Sequence, residues 1–197
     1  MKSLLSISII GLLIACTSST QLQTSWVDPS LNNEKVAAFK KILVVVALRN
    51  ETSKRVAEDK IVSQIKYATG VQAYAYLNPG DTAKNILEMR LKADKFDAIL
   101  LMQLKNVEKS TTYVPGSTYY GGYHGYGYYG SYYSSPGYVT EDQTFLVETS
   151  FYDAATGKLL WAGTTTTLNP SSLDRSMDEI IYAVKFELRK QGLIRPN

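Results

Sequence analysis

Reactive side chains are scarce in this 197-residue sequence, which contains one cysteine and one histidine. A single thiol excludes an internal disulfide bond and a zinc site built from several thiolates. His124 lies among tyrosine and glycine residues, which offer no orienting partner for a general base. The sequence also contains no nucleophile elbow, phosphate-binding loop or His-Glu-x-x-His motif. We therefore expect no catalytic residues, no metal ligands and no enzymatic activity.

Charge of one sign is also scarce, because 21 basic residues are nearly balanced by 18 acidic ones. A net charge of +3 is too small to indicate nucleic-acid binding. The carboxylates that remain as candidates for chemistry are better explained as helix-surface, cap and turn residues. They are Glu58, Asp59, Asp94, Asp97, Glu148 and Asp153.

The N-terminus has the pattern of a bacterial lipoprotein signal. Lys2 is followed by an apolar run over residues 4–15 and then by Cys16. This run is too short to span a bilayer, so we predict a signal peptide at residues 1–15 and a covalent lipid on Cys16, with no other cofactor. The alternative is an ordinary secretory signal with an incidental cysteine. Thr17 follows the cysteine at the position where an aspartate would resemble the inner-membrane retention signal. For a Gram-negative source, this resemblance favours the outer membrane and its periplasmic side.

Polar composition separates the N-terminal segment from the rest of the chain. Residues 16–37 are predicted to be the lipidated N-terminus and a tether, in which Trp26 docks on the folded part. Residues 38–197 are predicted to form a single α/β domain.

Hydrophobic periodicity predicts alternating strands and helices in the first half of this domain. Strands are expected at residues 42–48, 71–77 and 97–104. One helix is expected at residues 53–69, ended by Gly70, and another at residues 82–93. The buried stripe of the second helix is Ile86, Leu87 and Leu91.

The second half is predicted to be an antiparallel hairpin and a helix. A strand at residues 144–152 leads through a turn at 153–158 to a returning strand that begins at Leu159. A last helix follows Ser172, runs to about Gln191 and ends at Gly192. Its buried stripe is Leu173, Met177, Ile180, Val184 and Leu188. The predicted fold class is therefore α/β (α+β), a three-helix sandwich over a mixed sheet.

A Tyr/Gly-rich insertion at residues 113–138 interrupts this pattern. Its ten tyrosines and seven glycines predict a flexible loop or a long mobile hairpin. Tyrosine provides flat, amphipathic contact area, so we expect a partner-binding loop; the alternative is a low-complexity expansion without a partner. The candidate contact residues are Tyr119, Tyr120, Tyr123, Tyr126, Tyr128, Tyr129, Tyr132 and Tyr133.

Several motifs resemble those of small bacterial envelope lipoproteins of uncharacterised function. They are Cys16 after the lipobox, the segments at residues 25–29, 39–45 and 96–100, Arg55 with Glu58, and the Tyr-Asp-Ala-Ala-Thr-Gly-Lys-Leu-Leu-Trp hairpin at residues 152–161. The architecture is similar to the N-terminal domain of the Tol-system propeller protein, to the peptidoglycan-synthase activator lipoproteins and to the curli secretion lipoprotein. This resemblance implies an interaction module without transferable catalytic residues.

The expected function is that of a non-enzymatic, lipid-anchored interaction module of the cell envelope. Its expected contacts are the membrane, through the lipid, and an envelope protein. Self-association of the insertion, or binding of glycan such as peptidoglycan, remains an alternative.

Overall fold

A computed structural model of the chain describes residues 19–31, 39–77, 84–115 and 138–194. Its strands, in chain order, are β1 (Thr20–Val27), β2 (Lys41–Ala47), β3 (Thr69–Gln72), β4 (Ala98–Val114), β5 (Tyr138–Asp153) and β6 (Leu159–Leu168). Its helices are α1 (Glu51–Gln64), α2 (Ala73–Tyr76), α3 (Lys84–Ala93) and α4 (Leu173–Lys190).

The six described strands form one mixed sheet in the order β1-β6-β5-β4-β2-β3. Strand β2 is parallel to both β3 and β4, whereas β4, β5, β6 and β1 follow one another in antiparallel pairs. The predicted α/β class with a mixed sheet is therefore confirmed.

Helices α1 and α4 cover one face of the sheet, and α2 and α3 cover the other. Strand β2 is apolar on both faces, as predicted: Val44 and Val46 join the core under α1 and α4, while Leu43 joins a smaller core with Leu91 and Phe96. Alternating side chains of a strand point to opposite faces, so a continuous apolar run belongs at a position covered on both sides.

Helix α4 agrees closely with its prediction. The Ser172 side chain accepts a hydrogen bond from the Arg175 N–H at its N-terminus, and Gly192 adopts a φ of 72° after its end. Four of the five predicted stripe residues are buried. Leu173 is the exception: it lies in the first turn and is more than one-third exposed.

The predicted end of α1 is wrong. The helix ends at Gln64. Gly70 lies in β3, where it pairs with Ile42 of β2 instead of capping a helix. A Cβ at position 70 would come within 3.0 Å of the Ile65 side chain, so glycine allows the strand to approach the end of α1. Glycine is therefore required at position 70 for close packing of β3 against α1, and not for the end of a helix.

The predicted strand at residues 71–77 is also wrong beyond Gln72. Glu58 on α1 is fully buried, and its carboxylate accepts hydrogen bonds from the N–H groups of Val46 and Tyr74. The Glu58 carboxylate thus accepts one hydrogen bond from β2 and one from the first turn of α2. Helix α2 occupies the positions that were predicted to continue β3. This long-range contact has no local sequence signal.

Helix α3 agrees with the prediction for Leu87 and Leu91, which pack in the smaller core. Ile86 is exposed, contrary to prediction. It lies one residue, or about 100° of helical rotation, from Leu87 and so outside the narrow stripe. Residues 82 and 83 of the predicted helix lie outside the described residues.

The predicted tether is wrong where it includes β1. Residues Thr20–Val27 pair antiparallel with β6 and add an edge strand to the sheet. Trp26 belongs to this strand, but its side chain is half-exposed rather than docked in the core. Backbone pairing orders this polar segment, and composition alone does not reveal it.

The turn between β5 and β6 is confirmed. The Asp153 carboxylate accepts hydrogen bonds from the N–H groups of Ala155 and Thr156, and Gly157 adopts a φ of 67°. Trp161 is 1% exposed, and a Cβ on Gly163 would collide with its ring. The residues of the hairpin motif at 152–161 therefore form the turn and contribute to the core.

Candidate functional site

The predicted functional residues lie almost entirely outside the described residues. Cys16, His124 and the eight candidate contact tyrosines all fall there. The first and last tyrosines of the predicted insertion are described. Tyr113 is the next-to-last residue of β4, and Tyr138 is the first residue of β5. The structure therefore describes how the insertion is attached to the sheet.

That attachment is a two-stranded arm formed by residues 109–114 and 138–143. Strands β4 and β5 continue their antiparallel ladder to the pair Val114 and Tyr138. β4 last pairs with β2 at Gln103, and β5 last pairs with β6 at Thr144. Six pairs of β4 and β5 thus extend beyond the neighbouring strands, over about 20 Å at about 3.4 Å per residue. Only the two ends of the predicted insertion at residues 113–138 are described, so the choice between a flexible loop and a long mobile hairpin stays a prediction.

The far end of the arm exposes apolar and aromatic surface. Tyr113 and Val139 are directly opposite each other and are 65% and 59% exposed. Tyr138 is 58% exposed. Directly opposed residues share a face of the ribbon, so Tyr113 and Val139 form one continuous patch.

Asn169 joins the base of the arm to the end of β6. Its backbone N–H donates to the Gln143 carbonyl, and its side-chain oxygen accepts from the Gln143 N–H. Its amide nitrogen also donates to the Asp142 carboxylate at 2.7 Å. Asn169 has a φ of 46°, a conformation that asparagine tolerates better than most residues. The arm is therefore tied to the sheet at its base.

Both edges of the arm lack a neighbouring strand within the described residues. An unpaired edge presents backbone N–H and C=O groups that can pair with another chain. Strand addition of this type uses main-chain hydrogen bonds for affinity and alternate side chains for specificity. Within the described residues, both edges of the arm therefore have the open backbone that strand addition requires.

The arm leaves the sheet at the end where the described N-terminal segment begins. The Ser19 carbonyl accepts a hydrogen bond from the Leu168 N–H, Leu168 is paired with Thr144, and Thr144 is paired with Glu108. Ser19 therefore lies level with the base of the arm. The predicted lipidation site, Cys16, is three residues before it.

The candidate carboxylates have structural partners. The Asp97 carboxylate accepts hydrogen bonds from the N–H groups of Lys40 and Lys41, and Asp59 accepts from the Tyr74 hydroxyl. Asp94 accepts from the Tyr76 hydroxyl; burial and this hydrogen bond raise the pKa of Tyr76 to about 12. Glu148 lies 3.8 Å from the Lys105 ammonium. Within the described ranges, no group of acidic, histidine or cysteine side chains could hold a metal ion.

An ion pair joins the end of β1 to the β5–β6 turn, at the end of the sheet opposite the arm. Asp28 is buried and pairs with Lys158, and it also accepts a hydrogen bond from the Ser30 N–H. The Lys158 hydrogen bond, followed by those from Ser30, lowers the pKa of Asp28 to about 2. The resemblance segment at residues 25–29 therefore has a structural role here, tying β1 to the β5–β6 turn.

Sequence reasoning missed the arm although a signal for it was present. Residues 110–114 and 138–140 are rich in threonine, tyrosine and valine, which favour strands. The high tyrosine and glycine content of the whole insertion masked these short flanks. Their pairing partner is on the other side of the insertion, so neither flank is complete by itself.

In the parts of the chain that the structure describes, no helix has the length and apolarity needed to cross a membrane.

No protein-family model and no curated protein matches the sequence. Among solved structures, the chain is similar to the PelC dodecamer from Paraburkholderia phytofirmans, with 13% identity, a TM-score of 0.44 and coverage of 90% of this chain and 99% of that chain. It is also similar to lipoprotein GNA1162 from Neisseria meningitidis, with 14% identity, a TM-score of 0.41 and coverage of 77% of this chain and 99% of that chain. The resemblance to Tol-system and peptidoglycan-synthase activator domains stays a prediction.

Proposed function

We propose that this protein is a non-enzymatic, lipid-anchored interaction module of the bacterial cell envelope. The single observation that carries the proposal is the arm of residues 109–114 and 138–143, which extends beyond the packed sheet and exposes its backbone edges and aromatic end. The partner is an envelope protein that adds an extended segment to the arm.

The position of the arm supports a contact close to the membrane. Cys16 lies three positions before Ser19, which allows at most about 11 Å of extended chain between them. The arm extends about 20 Å from the same level of the sheet. If Cys16 carries the lipid, the end of the arm lies at least as near the bilayer as the sheet does. The proposed location is the periplasmic face of the outer membrane.

The test is site-specific photo-cross-linking of the full-length lipoprotein in cells. A photoreactive residue is placed at Val139 in the arm or, as a matched control, at Tyr182, which is exposed on α4. We expect one protein to be captured from Val139 and not from Tyr182. Equal capture from both positions, or capture from Tyr182 alone, would exclude the arm as the recognition surface.

Self-association is a second candidate, because two copies of the arm present matching edges. It predicts that the species captured from Val139 is a second copy of the chain. Light scattering on dilution measures the same association. Loss of the oligomer on removing residues 113–138 would support self-association over a heterologous partner. Cosedimentation with peptidoglycan tests the glycan-binding alternative.

A further inference from the structure

A second candidate site lies at the end of the sheet opposite the arm. A cavity of about 300 Å³ lies between the C-terminal parts of α1 and α4, above strands β4 and β5. Its walls are mainly apolar and include Ile61, Leu100, Phe151 and Val184. Most ligand pockets have volumes of roughly 300–1,000 Å³, so this cavity is at the small end of the range.

Three basic residues, Lys66, Lys185 and Arg189, also line this cavity. The Lys66 and Lys185 ammonium groups donate to the carbonyls of Ser63 and Gln64, at the end of α1. No carboxylate is present among its described lining residues. Burial, followed by the charges of Arg189 and Lys66, lowers the pKa of Lys185. The positive charge at this site is therefore not compensated by an acidic side chain of the lining.

Other basic groups that contact α4 differ in this respect. Arg175 pairs with Glu179, Lys190 pairs with Glu187, and Lys60 pairs with both Asp174 and Asp178. The contrast distinguishes the cavity from the solvated faces of the same helix.

Two polar atoms of the cavity lining are buried without a hydrogen-bond partner in the described structure. They are the Arg189 Nε and the Thr149 Oγ1. Thr149 lies on β5 in the sheet beneath the helices and is 1% exposed. Buried polar atoms are nearly always paired with protein, water or a ligand. The unpaired Arg189 Nε, which lines the cavity together with Lys185, therefore indicates a place for an acceptor group of a ligand.

We propose that this cavity binds one apolar chain with a carboxylate head, as in a free fatty acid. The chain occupies the space between α1 and α4, and the carboxylate lies against Arg189 and Lys185. The volume, at the small end of the range for ligand pockets, suits a single acyl chain rather than a two-chain lipid. Charge-assisted hydrogen bonds from arginine to carboxylate favour this head group.

The position of the cavity favours a free ligand over a lipid held in the bilayer. Phe39, which lines the cavity, precedes the first residue of β2, whereas the arm and Ser19 lie toward the other end of the sheet. This proposal does not depend on a partner for the arm, whereas the preference for a free ligand rests on the proposed lipidation of Cys16.

The test uses the full-length lipoprotein in lipid nanodiscs and a medium-chain carboxylic acid that carries a photoreactive diazirine. Peptide mapping locates the labelled residues. We expect the label on the α1 and α4 segments that line the cavity, with about tenfold weaker labelling in Arg189→Gln or Lys185→Gln, since each change removes a charged hydrogen-bond donor. Lys190→Gln on the same helix is the matched control and should label as wild type.

The head group and the floor of the cavity are tested separately. The corresponding alcohol probe should label the cavity several-fold less than the acid. Thr149→Val, which removes the unpaired hydroxyl at similar volume, should keep acid labelling and raise the melting temperature. Equal labelling by acid and alcohol, or equal weakening in Lys190→Gln, would overturn the proposal. Absence of labelling at the cavity of a folded protein would also overturn the proposal. That result would indicate that another part of the chain or a second copy occupies the space.

Discussion

Strands β4 and β5 pass through two different regions of the molecule. Beneath α1 and α4, their side chains are buried, as at Met102 and Val147. In the arm, the same ladder continues, but Tyr113 and Tyr138 are mostly exposed. The pairing of β4 with β5 runs through both regions, with one irregularity between Leu104 and Asn106, whereas the burial of their side chains does not. Backbone pairing therefore holds the two strands together in both regions, whereas side-chain burial stabilises the fold only in the covered region.

Without a helix or a second layer, a two-stranded ribbon is only marginally stable. The arm should therefore open locally at a small cost in free energy, while the covered region unfolds with the whole sheet. The arm is then free to pair with another chain without disturbing the core.

The largest expected contrast is between a covered aromatic residue and an aromatic residue of the arm. Trp161→Ala should lower the free energy of unfolding by about 3–5 kcal/mol, because it removes a buried indole from the core. Tyr113→Ala should change it by less than about 0.5 kcal/mol. Chemical denaturation of both variants measures the difference. Comparable losses would show that the arm contributes to global stability.

A second contrast concerns buried and exposed carboxylates on α1. Glu58→Ala should cost about 2–3 kcal/mol, because the N–H groups of Val46 and Tyr74 lose their acceptor. The adjacent Asp59→Ala is the control, with an expected cost below about 1 kcal/mol, since its hydrogen bonds are exposed. An equal cost for the two changes would contradict the role assigned to Glu58.

Acid should lower the free energy of unfolding of the sheet through protonation of Asp28. The folded-state pKa of about 2 lies below the ordinary value of 3.8, so the charged form is favoured by folding. This contribution is fully present above about pH 4 and is lost as the pH falls toward 2. Urea denaturation at several pH values should show a smaller decrease in this range for Asp28→Asn than for the wild type. Identical pH profiles would exclude the Asp28–Lys158 pair as the cause.

The smallest expected effect on stability is at the base of the arm. Asn169→Gly keeps the positive φ accessible but removes the side-chain hydrogen bonds to Asp142 and Gln143. We expect a change in unfolding free energy of less than about 1 kcal/mol. Amide hydrogen exchange should nevertheless become faster across residues 138–143. Asn106→Ala, whose side chain contacts only its own strand in the bonds described, is the control; faster exchange in both would remove the special role of Asn169.

Local patterns predicted the parts of the fold that depend on local physics. Helix α4 and the β5–β6 turn were predicted closely, since Ser172, Gly192 and Gly157 mark them within a few residues. Errors fell where distant groups decide the outcome. Gly70 resembles a helix cap until its contact with α1 is known, and the end of β3 depends on a carboxylate from another element.

The sequence by itself determined the α/β class, the inner strand β2 that is apolar on both faces, and the absence of local catalytic motifs, because these depend on composition and periodicity. It also provides the prediction of lipid at Cys16. Only the tertiary structure decided that a polar N-terminal segment is an edge strand, that the insertion begins as a paired arm, and that three basic residues meet at an apolar cavity. Each of these joins residues far apart in the chain, and such contacts leave no periodic signal along it.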